Sequence, residues 1–267
     1  MLGAAVLLVS LATPAQAAFR SRTTSGVALG TTPYFTCASA TAALNPYLWY
    51  RMDETSSTTT TATDSSGNRR TGLYGSGGKT TTTSQACARD SGRAMTFNGS
   101  SGYLSSPAIS GGMPSVYSLS IWFRTTTRSG GKLIGFGSQQ TGASGNYDRH
   151  LYLANSGKVF FGVYANAVRT VSSPLAYNDG DWHLAVASQS SAGLRLYLDG
   201  DLVASDTTTT TAEPGTSAYV RVGFDNLDNW DSTPTSRYFA GTLDDAVYVT
   251  TALTAAQVRS VYDAGTD

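Results

Sequence analysis

Glutamate, histidine, cysteine and lysine are all scarce in this chain of 267 residues. Its glutamates are Glu54 and Glu213, its histidines His150 and His183, and its cysteines Cys37 and Cys87. Two histidines and two cysteines, at no ligand spacing, do not supply a zinc site. Two isolated glutamates do not form the facing carboxylate pair that glycoside hydrolysis needs. Ser–His–Asp catalysis would fall to His150 or His183, and His183 sits in a strand pattern beside Trp182, where a structural role is expected. Gly78-Lys79-Thr80 hints at a phosphate loop, but the glycine that motif requires five residues earlier is Leu73. Eighteen basic residues balance eighteen acidic ones, so no net charge draws the chain to nucleic acid or anionic lipid. Charged residues make up 13% of the chain, and Thr, Ser and Gly carry its polarity instead.

The apolar run at residues 2–11 is too short to cross a bilayer. Pro14 breaks it, and Ala15-Gln16-Ala17 has the small-x-small form of an export cleavage site. We therefore expect residues 1–17 to be a signal peptide and the mature chain to be secreted or surface-bound, with no membrane span after cleavage. No Lys or Arg precedes the apolar run, which leaves a retained N-terminal anchor as the alternative. Residues 18–43 are polar and turn-rich and read as an N-terminal arm. Residues 44–267 read as one domain. In an exported chain, an even cysteine count reads as a Cys37–Cys87 disulfide, the alternative being two free thiols.

The organising stretch is residues 181–205. Leu184, Val186 and Ser188 alternate with His183, Ala185 and Ala187, and Leu194, Leu196 and Leu198 alternate with Arg195 and Tyr197. Period two marks strands with one face buried. Asp199-Gly200 between two such runs marks a tight hairpin, since both central positions of that turn need positive φ. Elsewhere Leu48, Tyr50 and Met52, then Leu119, Ile121 and Phe123, form inward faces. About a dozen short strands at roughly 8–12-residue spacing predict a β-sandwich. Thr254 with Gln257 three positions on is a capping box, and the helix it opens is expected to stop at Gly265.

Asp181-Trp182-His183 with Leu194-Arg195-Leu196-Tyr197-Leu198-Asp199-Gly200 resembles the laminin-G-like, or concanavalin-A-like, jelly-roll family. Ser118-Leu119-Ser120-Ile121-Trp122-Phe123 is similar to that family's central strand. Gly241-Thr242-Leu243-Asp244-Asp245-Ala246-Val247-Tyr248, with Ala252-Leu253-Thr254 after it, is similar to its closing strand and final helix. The resemblance spans roughly residues 45–265. It implies an all-β, two-sheet antiparallel jelly-roll sandwich with a short C-terminal helix, and it does not fix an activity.

Many members bind a structural Ca²⁺ at the sandwich edge, held by carboxylates and loop carbonyls. The positions that match are Asp64, in a D-S-S-G-N loop, and Asp244 or Asp245, with Asp53-Glu54 available to complete the set. Residues 225–231 are a second, acid-rich loop. A sugar site pairs an aromatic platform with polar groups. Trp230, Asp228 and Arg149 are the candidates, with Tyr147 and Asp148 nearby; alternatively Trp230 plugs the sandwich end. The reading is a non-catalytic binding module for an extracellular glycan or a surface protein. A structural surface component is the alternative, and a glycoside hydrolase the third.

Overall fold

The computed structural model describes residue 34, residues 36–216 and residues 218–266. The expected signal peptide and most of the arm lie outside the described residues. In chain order the elements are α1 (Cys37–Ala43), β1 (Leu48–Tyr50), β2 (Thr61–Ala62), β3 (Gly72–Tyr74), β4 (Lys79–Thr82), β5 (Ala94–Asn98), β6 (Leu104–Ser105), β7 (Tyr117–Arg124), β8 (Gly131–Gly137), β9 (Tyr147–Leu153), β10 (Lys158–Tyr164), β11 (Val168–Ala176), β12 (Trp182–Ser190), β13 (Gly193–Leu198), β14 (Asp201–Asp206), β15 (Tyr219–Val222), β16 (Ala240–Val249) and α2 (Ala255–Thr266). None of the described helices is long and apolar enough to cross a membrane.

The strands form two antiparallel sheets, as the patterning predicts. The back sheet runs β14-β13-β12-β7-β16-β5-β4, with β1 also on β16, and the front sheet runs β11-β10-β9-β8-β15-β6-β3-β2. The organising stretch sits in the back sheet, where β12 pairs with β7 on one side and β13 on the other. Asp199 at φ 53° and Gly200 at φ 84° make the β13–β14 turn left-handed at both centres. Asp199 does more than turn the chain. Its Oδ1 accepts the Leu184 N–H at 2.9 Å and its Oδ2 meets His183 Nδ1 at 2.8 Å. His183 Nε2 lies 3.0 Å from Asp179, so this histidine ties a turn to a strand.

Leu119, Ile121 and Phe123 meet Phe136, Leu151, Leu153, Phe161 and Val220 in the core between the sheets. One expectation is corrected here: β12 is buried on both faces. Ala185 and Ala187 face the front sheet, whereas Leu184 and Val186 join Trp49, Trp122, Tyr197 and Val247 in a second cluster under α1 and α2. In β12 the helices cover the larger side chains and the smaller ones face the sandwich core, so the face that alternation assigns to solvent is buried as well.

Thr254 and Gln257 form the expected capping box, with reciprocal bonds of 2.9 and 3.3 Å. The helix does not stop at Gly265, however. It continues to Thr266, because Gly265 is needed for contact; a Cβ there would stand 2.6 Å from the Trp122 ring and 3.0 Å from Cys37 Sγ. α1 falls within the stretch read as an arm. Thr36 and Ser39 cap it reciprocally, and Cys37 and Ala40 bury against the same cluster as α2. The Cys37–Cys87 disulfide forms, with Cα atoms 6.1 Å apart. It fastens α1 to the segment between β4 and β5.

Because that bond closes a 50-residue separation, the paired Cys37→Ser and Cys87→Ser substitutions should cost about 2–4 kcal/mol in denaturant unfolding. An unchanged midpoint would mean that α1 is held by packing alone.

Candidate functional site

On the front sheet, the outward side chains of β9 and β10 are covered by chain rather than by helix. Alternation sends Leu151, Leu153, Val159 and Phe161 inward, so Tyr152 and Phe160 point out. Residues 225–238 fold across them, and Leu227 and Trp230 pack on Tyr152. Trp230 is 6% exposed, set edge-on to His150 at 4.6 Å. Gly162 makes room for it, since a Cβ there would lie 2.5 Å from the indole. Trp230 is therefore a wedge that seats the loop, and only its edge reaches the surface.

Polar groups are trapped beneath the same cover. Lys132, His150, Arg221 and Asp225 are all 0% exposed. Asp225 Oδ1 accepts the Ser144 and Asn226 N–H groups, each at 2.8 Å, and its Oδ2 stands 3.7 Å from Lys132 Nζ. Lys132 Nζ lies 2.8 Å from His150 Nδ1. Burial pushes the Lys132 amine down to about 8, against the pull of Asp225, and holds His150 well below its usual range. Arg221 donates to the carbonyls of Gln139 and Gly142. This network fixes two loops, residues 138–146 and 225–238, on the sheet.

Between those loops and the β10–β11 end lies a cleft of about 310 Å³. Tyr147, Tyr164, Asn146, Asn229, Asp228 and Glu213 are among its lining residues. Tyr164 is 40% exposed. Tyr147 is half-buried, and its hydroxyl donates to the Asp228 carbonyl at 3.0 Å. The Glu213 N–H donates to the Tyr164 carbonyl at 2.8 Å, which brings a residue far along the chain to the rim. The Asp228 carboxylate is forked by Arg237, through Nε at 3.0 Å and through Nη2.

The sequence-predicted ligand residues fare differently. Asp228 lines the cleft, and Trp230 borders it from a buried position. Arg149 is corrected, being 0% exposed and turned inward at φ 54°. Its guanidinium is consumed by Asp148 and by the carbonyls of Pro114 at 2.6 Å and Glu213 at 3.0 Å. Asp148 lines the cleft, yet its Oδ1 accepts N–H groups from Arg149 and Tyr164 and its Oδ2 takes the guanidinium. Burial raises its pKa despite Arg149. Sequence reasoning missed Tyr164 and Glu213; nothing local marks either, since their meeting depends on a β-strand end and a loop about fifty positions apart.

Of the expected calcium carboxylates, Asp53, Asp244 and Asp245 share one hollow, and Asp64 is engaged elsewhere. Asp64 is spent on the N–H groups of Trp49, Ser66 and Arg70, at 3.1, 3.0 and 2.8 Å. Asp244 and Asp245 instead border a small hollow with Asp53 and Asp90, and Arg51 stands among them, 3.1 Å from Asp53 and 3.9 Å from Asp90. Among the described residues, the three-ligand convergence is Cys37, Cys87 and Asp90, two of which are disulfide-bonded. Residues 225–231, the second acid-rich candidate, put Asp225 beneath the cover and Asp228 on Arg237.

Asp244 and Asp245 lie at a β-bulge where β16 changes partner from β5 to β1. Asp245 has φ 46°, and its Oδ1 accepts the Trp49 indole N–H at 2.5 Å. Burial pushes the Asp245 carboxyl up to about 7 and holds Asp244 well above the usual carboxylate range.

Comparison with known proteins places these features in context. A family model described as the concanavalin A-like lectin/glucanases superfamily matches residues 98–259. No curated protein sequence matches the chain. Among solved structures, it is similar to domain 4 of an extracellular arabinanase from Geobacillus stearothermophilus, in complex with arabinotriose, at 18% identity and TM-score 0.54, covering 81% of this chain and 98% of that one. It is similar to the binding domain of Paraclostridial mosquitocidal protein 1, at 13% identity and TM-score 0.59, covering 82% and 52%. It is also similar to the botulinum neurotoxin serotype D ligand-binding domain in complex with N-acetylneuraminic acid, at 15% identity and TM-score 0.57, covering 85% and 52%. The match thus spans about half the length of the two toxin domains. At these identities the likeness shows a shared fold.

Two outcomes follow from the buried groups. Trp230→Ala should cost about 3–5 kcal/mol of stability, read by denaturant unfolding; a loss of affinity with no loss of stability would return Trp230 to the role of platform. The Asp245 carboxyl has a folded pKa above its unfolded value, so its contribution is full below about 4 and is lost as pH rises through about 7. In EDTA, the melting temperature should fall between about pH 4 and pH 7, and Asp245→Asn should flatten that fall by on the order of 1–3 kcal/mol at the upper end. A profile unaffected by the substitution would contradict the burial account.

Proposed function

Because the chain belongs to the concanavalin A-like lectin/glucanases superfamily, a superfamily of both binders and enzymes, we propose from its site that it is a secreted, non-catalytic module that binds carbohydrate. The observation that carries this reading is the cleft itself. It sets Tyr164, 40% exposed, and the half-buried Tyr147 beside the polar side chains of Asn146, Asn229, Glu213 and Asp228. A sugar ring offers an apolar C–H face and a girdle of hydroxyls, and that combination suits one aromatic wall with several acceptors around it. Hydroxyl donors to carboxylates make charge-assisted bonds, stronger than those between neutral groups. The sugars named with two of the similar structures support the reading without fixing the ligand.

A hydrolase reading draws on Asp148 and Glu213, which line the same cleft, one with a raised pKa. It is weaker because both oxygens of Asp148 already hold N–H donors and the residue is 3% exposed. General acid catalysis requires the acid to reach the leaving oxygen. A protein-binding surface component is the other alternative, and the exposed Leu175 of β11 and Leu202 of β14 favour it.

A glycan and polysaccharide array probed with the mature chain tests the proposal, with one arm in Ca²⁺ and one in EDTA. Binding is expected in both arms, because the cleft supplies its aromatic wall and its acceptors from its own side chains and the Asp53–Asp245 hollow lies outside its lining, and no sugar should be released. Tyr164→Ala and Glu213→Gln should each weaken binding about tenfold, or ~1.4 kcal/mol, with the melting temperature unchanged. Silence of a folded protein on the whole array would reject the reading in favour of a protein partner.

A further inference from the structure

The cleft at Tyr147 is not isolated. A second hollow, of about 620 Å³, is lined by Phe224, Thr235, Arg237 and Tyr238, and Asp228 lines both. The Asp228–Arg237 ion pair therefore stands between two concavities, each within the size range of small-molecule sites. Each has an aromatic wall. In the second it is Tyr238, stacked on Phe224 with ring centres 3.8 Å apart and planes 7° from parallel. Phe224 is backed in turn by Tyr103 at 5.7 Å, and the Arg221 guanidinium lies 5.1 Å from the Tyr103 ring. The stack fixes the ring of Tyr238 before any ligand arrives, which lowers the ordering cost of binding.

Charge around the two hollows is one-sided. Arg149 is buried and fully engaged with Asp148 and two carbonyls. Arg237 is forked onto Asp228. Each of these arginines is matched by an aspartate, so the charge left facing a ligand is that of Glu213, set among the asparagines, with one oxygen accepting the Asn166 N–H at 3.2 Å. An anionic sugar would bring its charge beside the Glu213 carboxylate, while Arg149 and Arg237 are each held by an aspartate, and like-charge juxtaposition is how a site excludes a wrong partner. An uncharged chain brings only hydroxyls, and each carboxylate oxygen can accept more than one hydrogen bond.

We infer that the two hollows are subsites of one groove that takes an extended, uncharged polysaccharide chain lying across the Asp228–Arg237 pair, and that this groove rejects uronic and sialic acids. The inference rests on the glycan-binding reading above and makes it specific in length and in charge.

Calorimetric titration tests it. The probes are neutral gluco-, xylo-, arabino- and manno-oligosaccharides from monosaccharide to hexasaccharide, set against oligogalacturonate and a sialylated trisaccharide. In the best neutral series, affinity should rise about tenfold or more between disaccharide and hexasaccharide, and the acidic probes should not bind. In Tyr238→Ala the rise with chain length should disappear. If that variant misfolds, Thr235→Trp, on an exposed rim of the second hollow, should block it with the same result. A disaccharide bound as tightly as the hexasaccharide, or an acidic sugar bound best, would overturn the inference and leave the glycan-binding reading in place. Absence of binding to every probe would overturn both.

Discussion

Asp225 holds the front of this protein together. It is a fully buried carboxylate between two loops and a sheet, accepting N–H groups from Ser144 and Asn226 and facing Lys132. A buried ion pair is weak evidence of net stability, because desolvating both charges offsets their attraction. Its effect is on geometry. Lys132 cannot remain buried as a cation without Asp225, and Asp225 can reach it only if residues 225–238 cross the sheet where they do. Arg221 imposes the matching condition on residues 138–146 through two of their carbonyls. The rims of the cleft are the outer surfaces of those two loops. The arrangement of Tyr147, Asn229 and Asp228 at the surface thus follows from polar groups that must be satisfied beneath it.

The two sheets solve one problem in two ways. Each has an apolar outer face that must be covered. On the back sheet, Trp122, Leu184 and Val247 are covered by α1 and α2, and α1, made of small residues, is fastened by Cys37–Cys87 to the segment between β4 and β5. On the front sheet, Tyr152 and Phe160 are covered by irregular chain seated by Trp230. A helix satisfies its own backbone and offers a smooth exterior. A loop leaves side chains and backbone groups free to face outward, which is why binding groups concentrate on loops held by a rigid scaffold. The proposed binding cleft accordingly lies on the looped side.

Much of the fold was legible in the sequence. Alternation at Leu119, Ile121 and Phe123, the Asp199-Gly200 turn and the capping box at Thr254 are local signals, and each appears in the structure as expected. What failed had a nonlocal cause. Gly265 reads as a stop signal from the chain alone and is a contact point only once Trp122 lies beneath it. α1 has no amphipathic stripe to betray it. Its formation rests on Thr36 capping and on burial against α2. The site was less legible than the fold. Asp228 was chosen for its polar loop and lines the cleft, but Arg149 and Trp230 were chosen for residue type, and type does not reveal which way a side chain turns. Asp64 and Asp245 each match a calcium-binding pattern, and the chain alone does not show that the fold spends Asp64 on backbone N–H groups and brings Asp245 to one hollow with Asp53, Asp90 and Asp244.

The central claim is that ligand recognition belongs to the loops laid over the front sheet. Hydrogen–deuterium exchange, recorded with and without a saturating neutral polysaccharide that the protein binds, tests it most directly. The account predicts added protection confined to residues 145–148, 164–168, 213–214 and 226–238, with the helical side of the back sheet unchanged. Protection centred on α1 and α2, or on the Asp53–Asp245 hollow, would contradict it.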